Sequence, residues 1–135
     1  MKVVQITNNS EPLLRPLQKE QEQQKRFCKI ALPSLEGFVF KRVDQIVYLE
    51  AQGNYTQLQF ADKSALLVCK TLLEIEKLLE QSASFIRVHR SFVINPGYLD
   101  RYIKGKGGYV VMEGGKSIPV SDTRKAAFLD AILCL

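Results

Sequence analysis

From Phe27 onward the chain is cut into short runs in which apolar and polar residues alternate, the period of a half-buried strand. Residues 27–32 (Phe-Cys-Lys-Ile-Ala-Leu) alternate, Pro33-Ser34 is expected to turn, residues 37–40 resume, and Val43-Asp44-Gln45 leads into the strand 46–51 (Ile-Val-Tyr-Leu-Glu-Ala). Gly53-Asn54 predicts a tight connection, because both residue types tolerate positive φ, and residues 55–60 and 64–69 predict a hairpin around Ala61-Asp62-Lys63. The pattern then changes period. Thr71 followed three residues later by Glu74 is a capping box, and Leu72, Ile75, Leu78 and Leu79 form a stripe at helical spacing, predicting a helix over 72–80. Its outer face would carry Glu74, Glu76 and Glu80, and carboxylates repel phosphate, so this helix is expected to cover a sheet. Further on, Asn95-Pro96-Gly97 can start a single helical turn, and residues 99–104, 109–112 and 117–120 predict a meander with glycine-rich turns. Ser121 is the expected cap of a last helix from 122 toward 133, with Phe128, Ala131 and Ile132 at core spacing and Arg124 and Lys125 facing solvent in its first turn.

The stretch 85–95, Phe-Ile-Arg-Val-His-Arg-Ser-Phe-Val-Ile-Asn, does not fit an uninterrupted strand. Strict alternation would put Arg90 on the same face as Ile86, Val88, Phe92 and Ile94, and an unpaired buried guanidinium is very costly. A break at His89, Arg90 and Ser91 avoids that, leaving a polar triplet on a turn between two apolar anchors. Arg87 would remain in the strand, its stem over apolar surface and its head reaching a carboxylate or phosphate. Basic residues anchored on a turn suit a ligand that carries phosphates.

The 135 residues, 46% hydrophobic, are enough for one core and too few for two ordinary domains. Residues 1–26 are polar and lack an apolar stripe, so they are expected to be an arm or linker, with one folded domain over 27–135. No apolar run approaches a membrane span and the start lacks a secretory h-region, which points to the cytoplasm. Cys28, Cys69 and Cys134 have no metal-ligand spacing and are expected to be buried free thiols. The formal net charge of +5 is concentrated in 85–125, where eight bases face three acids, a bias that favours polyanions and above all nucleic acid. Gly115-Lys116-Ser117 resembles the end of a P-loop, but Val110 stands where that motif needs its first glycine. The single histidine, His89, has no nucleophile or metal cluster beside it in sequence, so no enzymatic activity, metal or cofactor is expected.

The string 85–95, with its histidine, basic residue, serine and asparagine in order, resembles the signature of the LytTR family of bacterial DNA-binding domains, and Gly53-Asn54-Tyr55 resembles a DNA-facing loop of that family. The resemblance implies a mainly β fold, an elongated β-β-β sandwich of short antiparallel strands with two short covering helices. It further implies a transcription regulator that enters adjacent major grooves of duplex DNA with loops, with two protomers commonly on repeated sequence elements. With so short a polar segment upstream, a stand-alone regulator without a receiver domain is implied. Carried over by position, the matching residues are Asn54 and Tyr55, then His89, Arg90 and Ser91, then Ser121, Arg124 and Lys125 at the start of the last helix. Arg90 can address guanine with two hydrogen bonds and Asn54 can address adenine, while Lys125 and the hydroxyls of Ser91 and Ser121 suit phosphate. Asn54 can equally be a turn residue in the left-handed region. Asp122 departs from the family, where a basic residue often follows the serine, and a carboxylate is unfavourable beside phosphate. Two other classes fit the residues: an RNA or single-strand binder using Tyr55, Tyr102 and Tyr109 as stacking platforms, and a protein-interaction module using exposed strand edges.

Overall fold

In the computed structural model of the chain, which describes residues 29–80 and 84–133, ten strands and two helices are arranged as three antiparallel sheets. The expected 1–26 arm, Cys28 and Cys134 lie outside the described residues. The central sheet has five strands in the order β5-β4-β3-β7-β6: β3 (Ile46–Gln52), β4 (Tyr55–Phe60), β5 (Ala65–Val68), β6 (Ile86–His89) and β7 (Phe92–Ile94). Four consecutive residues of β3, Ile46, Val47, Tyr48 and Leu49, are buried. A strand covered on both faces needs apolar residues at every position, which is why 46–49 reads as a run instead of an alternation. A register shift between Ile46 and Tyr48 also changes which side chains share a face.

The two faces have different covers. On one, Ile46, Leu49, Leu58, Val68 and Val93 pack under α1 (Leu72–Leu79) and the hairpin of β1 (Lys29–Ser34) and β2 (Gly37–Arg42). On the other, Val47, Tyr48, Val88 and Ile94 pack under a three-stranded meander of β8 (Leu99–Ile103), β9 (Tyr109–Met112) and β10 (Ser117–Pro119), and under α2 (Asp122–Leu133) through Phe128. The sandwich inferred from the sequence is therefore present, with β3 and β7 shared by both cores.

Local chemistry explains the element ends. The capping box is complete: Glu74 N donates to Thr71 Oγ1 at 3.3 Å while Thr71 N donates to Glu74 Oε1 at 2.9 Å. Asn95 closes the 3₁₀ turn Pro96–Tyr98 by accepting from Gly97 N, and its Nδ2 donates to Ile46 O at 2.8 Å across the sheet. Several expectations are corrected. The first hairpin turns at Leu35 and Glu36, and β1 runs through Pro33 and Ser34, because β1 has a single strand neighbour and tolerates a residue without an N–H. Leu78 is 45% exposed and Ala131 is exposed, since each helix meets its core along a narrower stripe than its apolar residues span. Cys69 is exposed, because it follows Val68 at the end of β5, the strand that closes the sheet edge, where Leu66 and Val68 take the core side.

Candidate nucleic-acid interface

The strand registers bring the expected loops to one end of the molecule. β3 runs toward Gly53 and pairs antiparallel with β7 through Glu50 and Phe92, so the end of β3 and the start of β7 lie together. The turn Gly53-Asn54 is therefore a neighbour of the turn Arg90-Ser91, and Ala51 N donates to Ser91 O at 2.8 Å. The β6–β7 ladder passes from Arg87 opposite Val93 directly to His89 opposite Phe92, leaving Val88 out of the register. Val88 O is thus free to accept from Ser121 N at 2.8 Å, which seats the start of α2 against the same turn. One register shift in a four-residue strand joins the third loop to the other two.

The turn itself is held from several sides. His89 is half-buried, edge-on to Phe92 at 5.9 Å, and its Nδ1 accepts from Ser91 N at 3.1 Å, so the neutral ring carries its proton on Nε2. Arg87, also half-buried, donates from Nε to His89 O at 2.9 Å and from Nη2 to Arg90 O at 2.6 Å, while Nη1 meets Glu76 Oε1 at 2.6 Å. Arg90, between these anchors, is exposed. The break inferred for 89–91 thus falls at Arg90-Ser91, and the two arginines are placed differently: one under the turn, the other on it.

Asn54 and Tyr55 are both exposed. Positive φ at this connection falls on Gly53 alone (64°), so Asn54 does not take the left-handed role that was open to it, and its carboxamide is not committed to such a turn. At the α2 start, Ser121 Oγ lies 3.3 Å from Thr123 Oγ1 and Ser121 O accepts from Arg124 N. Arg124 and Lys125 are half-buried, which corrects the expectation that the first turn presents them freely to solvent. Lys125 Nζ lies 3.7 Å from Asp122 Oδ1, so the acid that departs from the family pattern offsets the lysine next to it.

One basic loop lies at this end without having been singled out as a contact from the sequence. Val120 N donates to Gly108 O, which places the loop 104–107, with exposed Lys104 and Lys106, beside the start of α2. Its signal was visible as alternating lysine and glycine, yet only the meander's register shows which end it occupies. Bases elsewhere in the 85–125 window are partly occupied: Arg101 faces Asp100 at 3.5 Å, and Lys116 lies over the rings of Tyr48 and Phe92. Among the described residues, no group of three or more histidine, cysteine or acidic side chains is placed to hold a metal. Among the described residues, no helix is long and apolar enough to cross a membrane.

Comparisons with known proteins agree with this architecture. A family model described as the LytTr DNA-binding domain matches residues 36–132. The chain is 36% identical over 97 residues to the sensory transduction protein LytT of Bacillus subtilis, and 33% identical over 98 residues to that of Bacillus anthracis. Each match covers 70% of this chain and 39% of the relative, so the chain spans about two fifths of the length of these curated relatives. The fold matches a solved LytTr DNA-binding domain from Bacillus cereus with a TM-score of 0.65 at 24% identity, covering 77% of this chain and 95% of that one. By sequence and by fold, the chain belongs to the LytTR family of DNA-binding domains.

Proposed function

We propose that this domain binds duplex DNA in a sequence-specific manner through its loops and acts as a cytoplasmic transcription regulator without enzymatic activity of its own. The observation that carries the reading is the convergence of three loops at one end of the central sheet, tied by the bonds Ala51 N to Ser91 O and Ser121 N to Val88 O. Arg90 and Asn54 supply base contacts; Tyr55, His89, Ser91, Ser121, Arg124 and Lys125 position the backbone. Two turns and a helix start gathered at one end of the sheet offer base-reading and phosphate-positioning groups side by side, which an isolated basic patch would not. Two protomers occupy repeated elements of the operator.

The single-strand alternative is less well supported, because Tyr102 packs at 5.7 Å on the buried Phe128 and is not a free stacking platform. Selection of bound duplexes from a random pool tests the proposal. Enrichment of a repeated motif, bound at two protomers per duplex in a band-shift titration, is the expected result. Recovery of no motif, or equal binding to single strands, rejects it.

A further inference from the structure

We propose that Arg87 and Glu76 form a positioning brace for the β6–β7 turn, so that α1, whose acidic face cannot approach phosphate, nevertheless sets how Arg90 meets DNA. The inference rests on the DNA-binding reading above and adds to it a pair of residues that need not touch DNA.

The geometry is unusually complete for a two-residue turn. All three nitrogens of the Arg87 guanidinium are used: Nη1 on Glu76 Oε1 at 2.6 Å, Nε on His89 O at 2.9 Å and Nη2 on Arg90 O at 2.6 Å. The planar fork therefore grips the carbonyl before the exposed side chain of Arg90 and the carbonyl of Arg90 itself, a task a point-charge lysine cannot repeat. The neighbouring carbonyls are taken as well, Val88 O by Ser121 N and Ser91 O by Ala51 N, so four successive carbonyls from 88 to 91 have defined donors. The bonds from Ser121 and Ala51 link the turn to the other two loops, and the bond to Glu76 links it to α1. The ion pair is sheltered, with the Arg87 and Glu76 side chains 20% and 25% exposed, so it is screened less than a surface pair. Glu76, expected on the outer face of α1 with Glu74 and Glu80, is instead half-buried and turns inward to meet this cation; Glu74 is spent on the helix cap. Without the brace the turn keeps its sequence and charge but loses the constraint on Arg90's backbone, and a contact that depends on two aligned hydrogen bonds is sensitive to such freedom.

The test has one arm without DNA and one with it. In the full chain, Arg87→Lys and the milder Glu76→Gln are expected to raise amide exchange at Ala51 and Ser91 by about tenfold or more, since those N–H groups are bound to the turn. With the duplex recovered by selection and a scrambled duplex as probes, Arg87→Lys is expected to lower the specific-to-scrambled affinity ratio by at least about tenfold, and Glu76→Gln by a smaller factor. The slope of log K against log salt should stay within half of the roughly −0.9 of one phosphate contact. In an Arg90→Ala background the loss of ratio should shrink to less than about twofold, because the brace acts through Arg90. Equal losses in both backgrounds, a salt slope shallower by a full contact, or unchanged exchange at Ala51 and Ser91 overturns the brace. If Arg87→Lys does not fold, Glu76→Gln alone decides by the same readouts. A wild type that enriches no duplex rejects the DNA reading and the brace with it, whereas a specific wild type with insensitive variants rejects the brace alone.

Discussion

Arg90 and Phe92 stand two residues apart and have opposite relations to the fold. Arg90 is exposed on the turn, and Phe92 opens β7, packed against Tyr48 at 6.4 Å and His89 at 5.9 Å. Arg90→Ala is expected to weaken binding to the selected duplex by roughly 1–3 kcal/mol and to relax preference at one base position, with the melting temperature nearly unchanged. Fluorescence titrations against specific and scrambled duplexes, with thermal melts of the same samples, check both statements. Phe92 is half-buried, so Phe92→Ala should cost less than the ~3–5 kcal/mol of a fully buried phenylalanine, while Leu49→Ala, at a fully buried site of the central strand, should cost about 2–5 kcal/mol. Urea denaturation ranks the two.

At the scale of elements, α1 is tied to its place by its first turn and by its inward acid. The Thr71 backbone N–H, and then its hydroxyl, hold the Glu74 carboxyl below its ordinary 4.5. A carboxyl depressed in the folded state adds stability above its unfolded pKa and loses it as pH falls through the folded one. The melting temperature is therefore expected to decline as pH drops from about 4.5, and Glu74→Gln, which keeps a capping side chain without the charge, should flatten that part of the decline. Asp62 acts in the same direction, its carboxyl lowered by the Ser64 hydroxyl and N–H at the β4–β5 turn, so the Gln variant flattens the acid limb without abolishing it. The elements themselves were largely legible. The capping box at Thr71, the Asn95 cap and the three-strand meander were each visible because their causes are local: a side chain satisfies a backbone donor a few residues away in the caps, and glycines at positive φ make the turns of the meander. The first hairpin was misplaced by two residues, since Pro33 marks a turn only where the strand needs its N–H, and that depends on how many neighbours the strand has.

Across the whole molecule, the bases that converge at one end act together. If the loops carry the proposed contacts, association with duplex DNA should weaken steeply with salt, the slope of log K against log salt being about −0.9 for each phosphate neutralised and corresponding to on the order of 3–6 contacts. Lys104→Ala and Lys106→Ala should each make that slope shallower without changing the enriched motif, because a point charge on a glycine-rich loop can neutralise phosphate but cannot read a base edge. Filter binding between low and moderate salt measures the slope; a flat response counts against the interface. The partial pairing of Lys125 with Asp122 predicts the opposite for Asp122→Asn, a steeper slope and tighter binding to any duplex.

What the sequence by itself determined are the features whose causes lie within a few residues: the strand periodicity, the caps, the need for a break near Arg90, the concentration of charge in 85–125 and the family string at its centre. What only the tertiary structure decided are the features that depend on register between distant segments. Whether Gly53-Asn54, Arg90-Ser91 and Ser121 lie at one end or three depends on the pairings Glu50 with Phe92 and Ser121 N with Val88 O, which join residues far apart in the chain. The same holds for Arg87, whose sequence allowed a phosphate or a carboxylate as partner; Glu76, eleven residues away on the helix that covers the Val93 face of the sheet, could be identified only once that helix was packed. A local rule constrains a residue through its own backbone, but a partner across the sheet is chosen by the packing of two cores, and no period along the chain encodes that choice.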